Sequence, residues 1–253
     1  MLKNSDLIIP DWPAPANVRA VISTRNGGVS QGIFTSLNLG NHVGDAPENV
    51  AENRRRFGAH LPREPLWLRQ VHGTHVARLD DLVDTDQAAD AACTSRPKMP
   101  CAVMTADCLP VLFCDKQGTT VAAAHAGWRG LAAGVLQNTL AAMRVAPSEI
   151  IAYLGPAIGT DAFEVGPEVL HAFVASNAAS GEAFHDIGDG KYLADLYQLA
   201  RLFLADAGVM GVYGGGFCTV IERDRFFSYR RDGSSGRMAS AVWIEQNKPT
   251  MGE

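Results

Sequence analysis

Apolar residues along this chain fall into short continuous runs and helical repeats, separated by stretches rich in Gly, Asn and Ser. Three runs, around Met99 to Thr105, Val111 to Cys114 and Thr120 to Ala124, are continuously apolar, as expected of strands covered on both faces. Helical spacing shows in Leu131, Val135, Leu136, Leu140 and Met143, and again in Leu196, Leu199, Ala200, Phe203 and Leu204, closed by Gly208. "PENVAENRRRFGAHL", with Pro47 in its first turn and Gly58 near its end, and "PEVLHAFVAS" read as further helices. "EIIAYLG", "MGVYG" and "RFFSYR" read as strands, and "LWLRQVHGTHVARLD" as two strands joined by a tight turn at His72-Gly73. Strands and helices alternate, but several strands are adjacent. The expected class is therefore mixed α/β (α+β), a single compact domain over residues 1–253 with β-sheets flanked by helices. The segment Ile22 to Asp45, 24 residues rich in Gly, Asn and Ser, reads as an extended loop or a pair of short strands. That is long for a loop, which points to function.

Composition narrows the classes. The formal net charge is −5 with both signs interspersed, which argues against nucleic-acid binding and against a polybasic membrane anchor. No stretch approaches the ~20 apolar residues of a membrane span, and the N-terminus lacks the apolar core of a signal peptide. Five cysteines, an odd number without CxxC, suit a reduced, cytoplasmic protein. Arginine outnumbers lysine, which fits an anionic ligand, although a compositional bias explains it equally.

Chemistry concentrates at the ends of apolar runs. Cys108 lies just past one, before Pro110, which lacks the donor a central strand needs. His125 ends "VAAA", and His72 sits at the expected hairpin tip. Two imidazoles and a thiolate suit zinc, and three protein ligands leave a fourth position for water or substrate, the pattern of a catalytic site. Taken singly, each of these residues reads more readily as a core residue than as a ligand. His75 is a rival ligand, although in a strand it faces away from His72. Cys93, Cys101, Cys114 and Cys218 read as small core residues.

The ordered segments "STRNGGVSQGIFTSLNLGNHVGD", "RQVHGTHV", "TADCLPVLF", "AAAHAGWRG", "GPAIG…FEVGPEV" and "FFSYRRDGSSGRMA" resemble the laccase-domain, or polyphenol-oxidase-type, family from about Ile22 to Ala239. Its members are regarded as zinc-dependent purine nucleoside phosphorylases. The resemblance implies that His72, Cys108 and His125 are the metal ligands and that adenosine, inosine and methylthioadenosine are substrates, with adenosine deamination as a further activity. "ACT" at Ala92 to Thr94 and "GTDAF" at Gly159 to Phe163 depart from the commoner forms, which leaves substrate preference open.

Phosphorolysis needs an anion pocket and a grip on ribose. Arg25, in the Gly-rich segment, is the first phosphate candidate, followed by Arg230 and Arg129, each also readable as a surface arginine. Arg129 alternatively supports a helix start. Asn38 is a candidate for a sugar hydroxyl or a turn-former, and Asp107 for orienting a ligand or satisfying loop amides. The partners expected are a purine nucleoside and phosphate, with the chain acting as a monomer. Copper(II) competes for such a site in vitro, but seven scattered histidines without an HxH pair cannot build the trinuclear cluster of a true laccase. A Cys108–His125 thiol hydrolase, including one editing cell-wall (peptidoglycan) precursors, and a non-enzymatic metal-binding module use the same residues.

Overall fold

The computed structural model describes residues 2–81 and 88–246. The chain enters with β1 (Leu7–Ile8) and β2 (Val18–Ser23), then passes through the Gly-rich segment to α1 (Pro47–Gly58). Five strands follow: β3 (Val76–Arg78), β4 (Ala91–Thr94), β5 (Cys101–Thr105), β6 (Leu109–Asp115) and β7 (Val121–Ala126). After α2 (Trp128–Ala133) and α3 (Val135–Met143) come β8 (Ile150–Leu154), β9 (Glu164–Val165) and α4 (Pro167–Ser176). The chain finishes with β10 (Phe184–Gly188), β11 (Lys191–Ala194), α5 (Leu196–Asp206), β12 (Gly211–Gly214), α6 (Tyr229–Asp232) and β13 (Met238–Ile244).

These strands build three sheets: a six-stranded one in the order β12-β8-β6-β7-β4-β3, a four-stranded one in the order β1-β2-β13-β5, and a small sheet β10-β11-β9. The large sheet is parallel only at its edges, between β12 and β8 and between β3 and β4. This is the mixed α/β architecture expected, with sheets flanked by helices. No helix among the described residues is long and apolar enough to cross a membrane.

The period-2 alternation of strands explains the layering. In β6, Leu109, Val111 and Phe113 join the core shared with α3 and α5, whereas Leu112 and Cys114 join the core shared with β2, β5 and β13. The large sheet is thus sandwiched between helices and the second sheet, so its central strands need apolar side chains on both faces. That is the physical origin of the continuous runs. The second sheet's other face packs against Leu37, Leu39 and Phe57, from the Gly-rich segment and α1.

That segment is held by hydrogen bonds rather than by strands. Buried Asn53 of α1 accepts from the Val29 amide and donates to Ser30 Oγ and to the carbonyls of Ser36 and Asn38. Asp45 accepts from Ser30 Oγ and from Asn38 Nδ2.

Several expectations need correction. The hairpin around His72 does not form: beyond an isolated bridge from Arg69 to Ala88, only β3 is a strand there, and it pairs in parallel with β4. The amides preceding β3 bond a buried carboxylate instead of a partner strand. Pro110 lies inside β6, where it faces His125 of β7; its carbonyl accepts from the Gly155 amide just past β8, and the Gly155 carbonyl, which a proline cannot serve, accepts from the Tyr197 hydroxyl instead. The expected helix from Leu131 to Met143 divides at Gly134, whose φ of 99° suits glycine. "RFFSYR" is no strand. Phe226 and Phe227 are both fully buried, Arg225 and Phe226 donate to the Glu222 carbonyl in a turn, and Ser228 caps α6.

Leu112 is fully buried between the two large sheets. Leu112→Ala is expected to destabilise the protein by about 2–5 kcal/mol, read from urea unfolding with an unchanged m-value.

Candidate metal centre

Where the chain crosses from one sheet to the other, three chemically reactive side chains meet. β5 belongs to the four-stranded sheet and β6 to the six-stranded one, and the three-residue turn between them carries Cys108. Asp107 holds that turn in shape at φ 83°. Its carboxylate accepts from Thr219 Oγ1 at 2.6 Å and from the Arg230 amide at 2.7 Å. Asp107 therefore satisfies loop donors rather than orienting a ligand. His125 is the penultimate residue of β7 and shares the face of Val121 and Ala123, which looks toward the second sheet. His72 enters from the irregular segment before β3 with φ 60°.

One donor atom from each of His72, Cys108 and His125 can be chosen so that all lie within 4.8 Å of one another. Cys108 Sγ is 3.6 Å from His72 Nε2, and the two imidazole rings stand 4.7 Å apart at 72°. Metal–sulfur and metal–nitrogen bonds of about 2.3 and 2.0–2.1 Å at a tetrahedral angle separate their donors by about 3.6 Å, so the pair fits one ion such as zinc. Among the described residues no fourth His, Cys, Asp or Glu joins the cluster. All three side chains line a cleft of about 450 Å³, a size suited to a small-molecule substrate.

Asp90 organises this cluster from beneath and was not among the residues read from the sequence. It is fully buried. Its Oδ1 takes His125 Nδ1 at 2.8 Å and the His72 amide at 2.9 Å, and its Oδ2 takes the Gly73 amide at 2.7 Å and the Val71 amide at 3.2 Å. One carboxylate thus fixes the backbone that presents His72 and occupies Nδ1 of His125, which leaves Nε2 as the nitrogen available to a metal. Close approach demands glycines around it. A Cβ on Gly127 would lie 2.7 Å from His72 Cδ2 and 3.0 Å from Cys108 Sγ, and one on Gly130 would lie 2.7 Å from the Gly73 carbonyl.

The electrostatics follow. Burial alone would push the Cys108 thiol up, but the charge of His125 and hydrogen bonds from both imidazoles bring it down to about 6. Burial would likewise lower His125, yet the Cys108 thiolate and Asp90 hold it up at about 9. Asp90, despite burial, stays below the usual carboxylate value through the bond from His125 and its backbone donors. The other core thiols behave oppositely, burial pushing Cys93 up to about 11 and Cys114 to about 12.

A family model described as multi-copper polyphenol oxidoreductase laccase matches residues 19–245. The chain belongs to this laccase-domain family. It is 55% identical to the purine nucleoside phosphorylase YfiH of Escherichia coli over 95% of this chain and 99% of that one. A purine nucleoside phosphorylase of Pseudomonas aeruginosa is 54% identical over 94% of this chain and 98% of that one. A crystal structure of a Neisseria meningitidis protein superposes with a TM-score of 0.92 at 59% identity, covering 95% of this chain and 100% of that one.

Within this laccase-domain chain the expected substrate-binding residues scatter. Arg230 lines the cleft, with Nη1 donating to the carbonyls of Ala162 and Glu164 and the guanidinium over Phe163. Arg25 lines a different cleft with Arg223, Asp224, Arg231 and Asp232, and it donates to the Thr35 and Arg223 carbonyls. Arg129 is exposed and stacks on Trp128. Asn38 is fully buried, its amide nitrogen donating to Gly40 O and Asp45 and its oxygen accepting from the Gly40 and Arg237 amides, which makes it a loop staple. His75 is exposed and carries no ligand role in the cluster. Cys93, Cys101 and Cys114 are buried as expected, whereas Cys218 is half-buried and accepts from the Gly159 amide. The cleft also contains His42, Gln70, Tyr229 and Arg237, which lie in loops or at element ends where no periodicity marks them.

Two measurements check this site. In chelator-stripped protein, alkylation of Cys108 by iodoacetamide is expected to lose rate as pH falls through about 6, against about 8.5 for an ordinary thiol. The sign follows from the depressed pKa: the thiolate exists above it and is protonated below it. Asp90→Asn is expected to weaken zinc affinity about 10- to 100-fold, measured by competition with a chromophoric chelator, and an unchanged affinity would deny Asp90 its orienting role.

Proposed function

We propose that this chain is a zinc-dependent purine nucleoside phosphorylase, with His72, Cys108 and His125 holding the ion. The observation that carries the reading is a two-imidazole, one-thiolate cluster with an open side on a substrate-sized cleft. The naming of close relatives as purine nucleoside phosphorylases supports it. In the reaction the C1′–N9 bond of the nucleoside breaks, a C1′–O bond to phosphate forms, and the purine leaves with the electron pair and takes up a proton. Bound zinc supplies a Lewis acid that stabilises charge developing on a substrate atom. The protein's own part is positioning. Asp90 keeps both histidines aimed, and Phe163, Ile158 and Tyr229 give the cleft an apolar and aromatic wall for a purine. Most of the acceleration in such a site comes from orientation and fixed electrostatics. Adenosine, inosine and methylthioadenosine are the proposed substrates, and hydrolytic deamination of adenosine at the same ion is a proposed side activity.

One observation favours a second reading. A Cys108 thiol brought down to about 6 beside His125 is also the pair a thiol hydrolase uses, without metal. A multicopper oxidase finds no such support, since the described residues hold one three-ligand cluster.

Elemental analysis of protein purified without added metal is expected to find about one zinc per chain. Cys108→Ser is expected to lose that zinc. Incubation with adenosine is expected to release adenine only when phosphate is present, as read by chromatography, whereas inosine formation without phosphate would report deamination. A metal-free protein that releases no purine base from any nucleoside would overturn the phosphorylase reading in favour of the thiol hydrolase.

A further inference from the structure

We infer that Arg237 binds the tetrahedral oxyanion co-substrate, inorganic phosphate, beside the metal centre. The inference rests on the phosphorylase reading and deepens it. Arg237 shares the cleft with His72, Cys108 and His125. Its side chain is half-buried and joins no salt bridge among the described residues. Nη1 donates to the carbonyls of Ser235 and Gly236, while Nε and Nη2 meet no acceptor among the described residues. Two donors in one plane are what a bidentate grip on phosphate requires.

The surroundings hold this cation in place without pairing it. The Arg237 amide donates to Asn38 Oδ1, and its carbonyl accepts from the Leu39 amide, so the Gly-rich segment clamps the backbone from both sides. A Cβ on Gly40 would lie 2.8 Å from Arg237 Cγ, so glycine there makes room for the side chain. The nearby Asp107 carboxylate, held by Thr219 and the Arg230 amide, forms no ion pair with Arg237 among the described residues. Burial pulls the guanidinium's pKa down, and Cys108, Asp107 and Tyr229 push it back up. Burial first, and the charges of Arg237 and Arg54 after it, lower His42 at the same cleft. Arg230, the other arginine of the cleft, is exposed and tied to the carbonyls of Ala162 and Glu164.

The test separates phosphate binding from loop anchoring. In zinc-loaded protein, Arg237→Gln is expected to raise the KM for phosphate about 10- to 100-fold, the loss of a charge-assisted hydrogen-bond pair, and to leave the KM for inosine within about twofold. Arg237→Lys keeps the charge and is expected to recover part of the phosphate KM. If both KM values rise together, or the phosphate KM stays put, the assignment is overturned. Should Arg237→Gln not fold, judged by near-ultraviolet circular dichroism and zinc content, Arg237→Lys decides: an unchanged phosphate KM overturns it. Calorimetric titration of the zinc-loaded protein with inorganic phosphate tells the two readings apart. Wild-type protein that binds phosphate in an Arg237-dependent way but splits no nucleoside would retain the subsite and sink the phosphorylase. Equal phosphate affinity in wild type and Arg237→Gln would sink the subsite.

Discussion

A single buried carboxylate sets the geometry of the site. An ionised Asp90 at zero exposure is tolerable only if its oxygens are saturated with donors, because an unpaired buried charge costs far more than any one contact returns. Four donors converge on it: the imidazole of His125 and the amides of Val71, His72 and Gly73. Each is a charge-assisted bond, so the segment from Val71 to Gly73 folds around the oxygens instead of continuing as a strand. The left-handed His72 is part of the same arrangement, aiming its ring at Cys108.

The second constraint is the exchange of strands between sheets. The chain leaves the four-stranded sheet with β5 and enters the six-stranded one with β6, and a three-residue turn leaves no room for a longer connection. Cys108 is caught at that crossing, and Pro110 stands opposite His125 in the register of β6 and β7. The three candidate ligands therefore lie where two apolar layers end together, dry on one side and open to the cleft on the other. Such a boundary strengthens electrostatic interactions while admitting substrate. The same boundary draws in the Gly-rich segment, whose Asn38 and Gly40 pack around Arg237.

Much of this was legible in the residues. The continuous apolar runs mark β5, β6 and β7 as strands covered on both faces, and they are entirely buried. The segment read as α4 matches to the residue, the repeat of α5 lies within its helix, and α1 starts at Pro47 and ends at Gly58, short of Leu61. The His72, Cys108 and His125 cluster followed from residue type at the ends of apolar runs together with family resemblance, and the three donors do converge. Asp90 carried no such sign, because a lone aspartate before "AACT" looks like any loop carboxylate until its donors are seen. Arg25 and Asn38 looked like ligand-binding residues because they stand in a long Gly-rich segment. That segment instead spends its polar groups on itself, on Asn53 and on Asp45.

What the sequence by itself determined is local. Side-chain chemistry and periodicity chose the strands and helices and, joined to the family resemblance, the three candidate ligands, because those depend on near neighbours and on which faces must be dry. Only the tertiary structure decided which polar groups serve the site and which serve the fold. It turned "RFFSYR" into a buried turn, sent Arg25 to another cleft, set Asp90 under the His72, Cys108 and His125 cluster, and put Arg237 in the same cleft as that cluster. Those outcomes depend on contacts between segments far apart in the chain, where a donor's nearest acceptor is set by sheet order and layer packing rather than by any spacing along the sequence.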